Sequence, residues 1–292
     1  MAKTSKARHD NRKVELLVVG NELLNGTTLD TNSHWISKEL SNMGYVVERK
    51  TTIRDDLLTI KQGFLECLSR RPAWIFALGG LGPTFDDLTL EGLALALKTK
   101  LALNQAALRM MKQSYERRRK TLGLKTPKRV SRASLKMAKI PKGATPLENS
   151  AGSAPGVLAF FRGTKIISLP GVPNEVKAIF SEKVIPLLNE SSTQKRSRAE
   201  RWFEVLGLSE SKLAPKSLKL FKKYSKEIYV KSHPMGFRQG MSLLHIQLLM
   251  DYGIEEEKEA NELLNKVSDE LEAVMKRLGA RYVKKITSGA SQ

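Results

Sequence analysis

The sequence predicts an α/β first domain followed by a smaller α+β domain, and three observations support this. From Val14 onward, short apolar runs alternate with stretches whose apolar residues recur at helical spacing, the signature of strand–helix–strand units and a mostly parallel sheet covered on both faces. A polar, aperiodic stretch, NESSTQKRSRAER at 189–201, then interrupts that alternation. Beyond it the elements follow a different order, with strands next to one another and a long amphipathic helix. The expected boundaries are a basic arm at 1–13, the α/β domain at 14–190, a linker at 191–201 and the small domain at 202–292. At 292 residues, 41% hydrophobic and 27% charged, the chain is long enough for two domains and is neither collagenous nor wholly disordered.

The elements follow in order. Val14-Glu15-Leu16-Leu17-Val18-Val19-Gly20 reads as a strand ending in a turn. Asn32 to Met43 reads as a helix, with Trp35, Ile36 and Leu40 on one face and Gly44 as its stop. Tyr45 to Thr52 is the second strand, and Leu57 to Arg70 has helical spacing. Ala73-Trp74-Ile75-Phe76-Ala77-Leu78 is an unbroken apolar run, expected for a strand buried on both faces. Thr89 to Leu97 is again a helix, Lys165 to Leu169 a strand and Asn174 to Leu188 a helix. The second domain reads as strands at Trp202–Leu206, Glu227–Lys231 and Ser242–Met250, with helices at Glu210–Leu220 and Ile254–Leu278.

Fifty Lys and Arg against thirty Asp and Glu give a formal charge of +20, which predicts anionic partners such as nucleotides, phosphates or nucleic acid. Twelve of the basic residues lie between Lys112 and Lys142, against one acid, Glu116. That segment is either a solvated helix and loop or a rim that draws in phosphate-bearing ligands. The leader, with Lys3, Lys6, Arg8, Arg12 and Lys13 against Asp10 alone, reads as a solvated arm. A single cysteine, Cys67, excludes an intrachain disulfide and any Cys-based zinc or iron–sulfur site. It is expected to be a small buried hydrophobe. No stretch approaches the roughly eighteen uninterrupted apolar residues of a membrane helix, and the leader has no apolar core. The chain is therefore expected in the cytoplasm, without a membrane partner.

The densest chemical feature is Gly79-Gly80-Leu81-Gly82-Pro83-Thr84-Phe85-Asp86-Asp87-Leu88-Thr89, which follows a buried strand and opens a helix. Ligands bind at that crevice in open α/β sheets. Glycines let backbone N–H groups approach an anion, and the new helix adds its positive end. Asp86 and Asp87 either cap the helix or, beside an anion, hold a divalent cation together with substrate phosphates. Asp55-Asp56 repeats the arrangement after the second strand. One member of that pair is expected to face the crevice and the other to cap, and the residues alone leave both assignments open. A third turn holds Gly20-Asn21-Glu22-Leu23-Leu24-Asn25-Gly26 and Asp30-Thr31-Asn32, where Asp30 or Asn32 caps the next helix or contacts ligand. Asn149 to Gly156 and Leu169 to Glu175 are small-residue turns that are either structural or ligand-facing. His9, His34, His233 and His245 are too scattered for a metal cluster or triad, and neither G-x-S-x-G nor a P-loop occurs.

These motifs together resemble the N-terminal part of the CinA family, whose first domain shares the molybdopterin-binding fold of MogA and MoaB. They are Gly20 to Gly26, Asp30-Thr31-Asn32, Asp55-Asp56, Gly79 to Thr89, Ser153-Ala154-Pro155-Gly156 and Leu169 to Glu175. The resemblance implies a three-layer α/β/α domain. From Trp202 onward the chain resembles, more weakly, the KH-like domain that follows in that family. Bacterial relatives continue into an amidase domain acting on nicotinamide mononucleotide. That domain does not appear in this sequence, and deamidase activity is not carried over.

In molybdopterin-binding relatives the glycine loop holds phosphate, and acids matching Asp55 or Asp56 and Asp87 are functional. Here Leu81 stands where that loop has a threonine, so the hydroxyl contact of the relatives is not carried over. CinA-type proteins are associated with metal-dependent cleavage of ADP-ribose at its diphosphate. The resemblance and the residues together imply a hydrolase of a nucleotide diphosphate. Asp55, Asp56, Asp86 and Asp87 are its candidate catalytic residues, with Asp87 and Asp55 as ligands of Mg²⁺, Mn²⁺ or Co²⁺. The candidate phosphate- and substrate-binding residues are Gly79, Gly80, Gly82, Thr84, Glu22, Asp30, Asn32, Ser153, Gly156, Pro170 and Gly171. One alternative is pterin-phosphate binding or adenylyl transfer in molybdenum-cofactor assembly, and another is a basic nucleic-acid-binding protein. The KH-like segment lacks a G-x-x-G clamp, because Gly236 and Gly240 are one residue too far apart. A homo-oligomer, dimer or trimer, is the implied assembly.

Overall fold

The computed structural model describes residues 11–121, 123, 131–191, 196–224 and 227–287. The basic leader up to residue 10, and Lys125, Lys128 and Arg129 of the basic segment, lie outside the described residues. The chain divides into two compact units; apart from residues 42–44, the first runs to residue 193 and the second from residue 194. Among the described residues no helix is long and apolar enough to cross a membrane.

In the first unit the elements run β1 (Lys13–Val19), α1 (Asn21–Leu24), α2 (Thr31–Asn42), β2 (Val46–Ile53), α3 (Leu57–Ser69), β3 (Trp74–Leu78) and α4 (Thr89–Ala96). Then come β4 (Leu101–Leu103), α5 (Gln105–Thr121), α6 (Arg132–Leu135), β5 (Lys139–Pro141), β6 (Thr145–Leu147), β7 (Gly156–Phe161) and β8 (Thr164–Leu169). A helix closes the unit as α7 (Pro173–Ile179) and α8 (Ile185–Ser191), joined through one π turn at Phe180–Val184. The main sheet has the order β2-β1-β3-β8-β7-β6. Its first four strands are parallel, while β7 and β6 pair antiparallel at the far edge.

Side chains alternate across a strand, so a strand between two helical layers must be apolar at every position. β1 and β3 show this. Leu17, Val19, Ile75 and Ala77 face α3 and α4, where Ile60, Phe64, Cys67, Leu93 and Ala96 meet them. On the opposite face Phe76 packs on Phe180, which also meets Trp35 of α2 at 5.3 Å, and Trp74 meets Tyr45 edge-on. The Tyr45 hydroxyl donates to the Leu188 carbonyl at 2.8 Å, and its pKa is pushed up to about 12 by burial. The two-sided, mainly parallel sheet that the sequence predicts is therefore present, with an antiparallel edge that it did not indicate.

The break in apolarity of β1 is Glu15, only 2% exposed. Arg70, just beyond α3, meets it with two parallel hydrogen bonds of 2.7 and 2.6 Å, the bidentate geometry that compensates a buried carboxylate. Burial and, second, the Glu15 carboxylate push the Cys67 thiol up to about 12 from an ordinary 9.0. The folded state thus holds this proton more tightly than the unfolded chain. Its contribution to stability is complete below pH 9 and is lost as pH rises from there toward 12. A thiol reagent at pH 8 is expected to leave the native chain unlabelled and to label it once unfolded. Prompt stoichiometric labelling of native protein would contradict this burial.

The second unit comprises β9 (Arg196–Leu206), α9 (Glu210–Tyr224), β10 (Ile228–Arg238), β11 (Met241–Gly253), α10 (Glu257–Arg277) and β12 (Tyr282–Ile286). Its sheet is antiparallel, in the order β10-β11-β9-β12. Phe203, Val205, Leu244, Ile246 and Leu248 form one core with Leu213 of α9 and Leu264, Val267, Leu271 and Met275 of α10. Residues 196–201, expected as linker, are instead the first half of β9. Charged side chains hid them, because Arg198 is satisfied by Asp251 across the strands at 2.6 Å. The β12 strand, rich in lysine, was also not anticipated.

Candidate functional site

Between β1 and β3 the chain order along the sheet reverses: β2 lies on one side of β1, β3 and β8 on the other. A crevice opens at the carboxyl ends of strands at such a point. A cleft of about 1120 Å³ lies there, its floor made by Val18, Val19, Leu78 and Gly79.

Five turns and the helix α5 contribute to the wall of the cleft. After β3, Gly79 and Gly80 have φ of +96° and +67°, conformations that side-chain-bearing residues rarely adopt. A Cβ on Gly79 would stand 2.4 Å from the Val19 carbonyl oxygen, and one on Gly80 would stand 2.3 Å from the Thr89 hydroxyl. That hydroxyl donates to the Gly79 carbonyl at 2.8 Å and ties the loop to α4. The Gly79 N–H is used by Leu169, whereas those of Gly80, Leu81 and Gly82 have no protein acceptor among the described residues. Three consecutive uncommitted N–H groups lie beside a helix start, an arrangement that favours an anion.

The acids sort themselves by their hydrogen bonds. Asp56 is the N-cap of α3, accepting from the N–H and hydroxyl of Thr59 at 2.8 Å each. The Thr59 N–H, then its hydroxyl, hold the Asp56 carboxyl below the usual range. It is not among the residues lining the cleft, which corrects its candidacy. Its neighbour Asp55 lines the cleft and accepts the Asn21 N–H through Oδ2 at 2.6 Å. Asp87 accepts the Thr84 N–H at 2.8 Å and hydroxyl at 2.5 Å, both through Oδ2. Asp86 shares that hydroxyl, and its carboxyl is held below the usual range first by this bond. Asp55 and Asp87 each keep Oδ1 without a protein donor among the described residues. Asp56→Ala is expected to lower the melting temperature by a few degrees through loss of the cap while leaving ligand affinity unchanged. A large loss of affinity would return Asp56 to the site.

Asp30 is the cap of α2, through Ser33, and Asn32 reaches across to donate to the Gly171 carbonyl at 2.7 Å. Both line the cleft with Glu22, Thr84, Ser153, Pro170 and Gly171. Gly156 does not. It is buried as the first residue of β7, opposite Leu147, where small-residue composition had made it look like a loop glycine.

Sequence reasoning left the turns that hold Asn149 and Glu175 open between structural and ligand-facing, and read the basic segment as a solvated stretch or a phosphate-drawing rim. It singled out neither residue and no face of α5. Asn149, 3% exposed, donates to Ala154 and Glu175 and accepts from the N–H groups of Ala151 and Gly152, so it shapes the whole turn. Glu175 is half-buried, and its carboxyl is pushed up by that burial, with Asn149 and then Arg118 working against the rise. α5 buries Ala107, Met111 and Ser114, and the Ser114 hydroxyl donates to the Gly152 carbonyl at 2.5 Å. The same helical face, continued one turn, carries Arg118, which lines the cleft with Arg117. Extending that apolar stripe into the basic segment is the signal that could have found it. Lys136 reinforces the glycine loop from outside, donating to the Thr84 carbonyl at 2.8 Å.

The lining carries six carboxylates (Glu22, Asp30, Asp55, Asp86, Asp87 and Glu175) against two guanidiniums. An anion entering such a cleft needs a cation beside it. Among the described residues no three His, Cys, Asp or Glu side chains form a ready cage. Asp55 and Asp87 each leave one carboxylate oxygen uncommitted, the oxygen-donor chemistry that a hard divalent cation takes.

A glycine loop and acids around a cleft at the switch point of a mainly parallel sheet define an α/β protein of the small-molecule-binding kind. The chain belongs to the family described as probable molybdopterin binding domain, whose model matches residues 15–190. It is CinA-like within that family. The crystal structure of CinA from Thermoplasma acidophilum, a protein of unknown function, is 38% identical, with a TM-score of 0.53 over 60% of this chain and 98% of that one. A protein of Sulfurisphaera tokodaii is 37% identical over 269 residues, 92% of this chain and 97% of that protein. One from Aeropyrum pernix is 41% identical over 248 residues, 85% and 88% of the two chains.

Proposed function

We propose that this chain binds a phosphate-bearing nucleotide or pterin in the cleft and, with a divalent cation, hydrolyses a nucleotide diphosphate such as ADP-ribose. The observation that carries the reading is that Asp55 and Asp87, from separate strand ends, line one cleft with the free amides of Gly80, Leu81 and Gly82. Those amides and the start of α4 take oxygens of one phosphate. Asp55 and Asp87 are the residues that would hold Mg²⁺, Mn²⁺ or Co²⁺, and the cation would neutralise the diphosphate charge. Water adds to one phosphorus, the bridging P–O bond breaks, and AMP and ribose 5-phosphate leave. Fixed dipoles aimed at that developing charge are worth several kcal/mol.

Incubating the protein with ADP-ribose and each cation in turn, and separating products by chromatography, tests the reading. AMP in equimolar amount with ribose 5-phosphate supports it, and absence of AMP with all three cations rejects hydrolysis. The family's description favours a second reading, pterin-phosphate or adenylate binding in cofactor assembly, which a pterin titration without turnover would support. In both readings the working form is a homodimer or homotrimer, read directly by sedimentation. Binding of nucleic acid that falls steeply with salt, with no nucleotide hydrolysis, would favour the remaining alternative.

A further inference from the structure

We propose that Arg118 is the positioning residue for a second phosphate, so that the cleft selects ligands with two linked phosphates over those with one. The proposal rests on the ligand reading above and adds a determinant from α5 that the glycine-loop motifs do not contain. The basic residues along the last turns of α5 differ in their commitments. Arg117 is engaged by the Glu148 carboxylate at 3.1 Å and the Asn149 carbonyl at 3.2 Å. Arg119 pairs with Glu116 at 2.9 Å. Arg118 has no hydrogen bond or close ion pair among the described residues, although it lines the cleft. Its charge is felt through space by Glu175.

An exposed arginine usually reflects nothing more than solubility. Arg118 differs because its place is built. One turn earlier on the same helical face, the Ser114 hydroxyl is anchored to the Gly152 carbonyl, and Met111, a further turn back, is fully buried. Arg118 is thus carried on a fixed helix while its guanidinium keeps all five donors for a ligand, the planar fork that matches phosphate oxygens. The free amides of Gly80, Leu81 and Gly82 line the same cleft and serve a different phosphate. A monophosphate can satisfy one of these two groups, whereas a diphosphate can satisfy both.

The test titrates the full chain calorimetrically with pyrophosphate, ADP, orthophosphate and AMP, in Mg²⁺ at constant ionic strength, for wild type, Arg118→Gln and Arg118→Lys. Wild type is expected to bind pyrophosphate and ADP more tightly than orthophosphate and AMP. Arg118→Gln is expected to weaken the first two about tenfold and to leave the second two within about twofold. Arg118→Lys should recover part of the loss as a point charge. Equal loss on all four ligands, no loss, or no wild-type preference overturns the assignment. Because these are binding measurements, selective loss without AMP release from ADP-ribose keeps Arg118 in its role and rejects only hydrolysis. Unchanged circular dichroism and melting temperature confirm that the exposed substitutions leave the fold intact.

Discussion

Asp55→Asn and Asp87→Asn are each expected to lower AMP release from ADP-ribose by about 100-fold or more in kcat. The substitution is nearly isosteric and keeps a side-chain oxygen. In the first variant the amide oxygen can still accept the Asn21 N–H that Asp55 accepts at 2.6 Å. In the second it can still accept the Thr84 N–H that Asp87 accepts at 2.8 Å. What each variant loses is negative charge on the oxygen left uncommitted to the protein, the charge that a divalent cation needs. Asp56→Asn is the internal control, because asparagine caps helices as well as aspartate does. It should retain wild-type kcat and melting temperature. Full turnover in Asp55→Asn and Asp87→Asn, with Asp56→Asn impaired, would invert the assignment.

Gly79→Ala is expected to destabilise the first unit by at least about 2 kcal/mol, a fall of roughly 5 °C or more in melting temperature. Two independent penalties fall on one methyl group. The backbone sits at φ +96°, and the new Cβ would stand 2.4 Å from the Val19 carbonyl oxygen. That oxygen belongs to the buried end of β1, in the same peptide plane as the Gly20 N–H that donates to the Ile53 carbonyl at 3.1 Å, so it cannot retreat without disturbing that bond to the residue ending β2. Gly171→Ala, on the same cleft wall, separates strain from mere substitution. Its nearest neighbour would be the Gly79 Cα at 3.7 Å, ordinary contact, so stability should stay within about 0.5 kcal/mol. Denaturant melts of the two variants give the comparison, and equal stability would show that the turn relaxes freely.

The sequence revealed most where burial constrains both faces of an element. β1 and β3 are near-continuous apolar runs because helices cover them on either side, and the glycine loop after β3 carries its own steric requirement. Adjacent acids were harder. Asp55 and Asp56 have the same chemistry, and only the local backbone, with Thr59 three residues on, decides which becomes the cap. Short strands such as β4, β5 and β6, three residues each, have no period to detect. Gly156 shows the opposite error: small residues before it resemble a ligand turn, yet its N-terminal strand position is set by pairing with β6. α5 escaped notice because its charged residues outnumber the apolar few that dock it.

The cleft walls are fastened to one another by the chain's own hydrogen bonds. Asn21 is joined to Asp55, Asn32 to Gly171, Gly79 to Leu169 and Ser114 to Gly152. Each bond links segments far apart in sequence, so the loops acquire their form when the chain folds. The ordering cost therefore falls on folding and little of it on capture. A visiting molecule meets a cradle already shaped, and discrimination among visitors rests on fit and charge with little contribution from loop rearrangement.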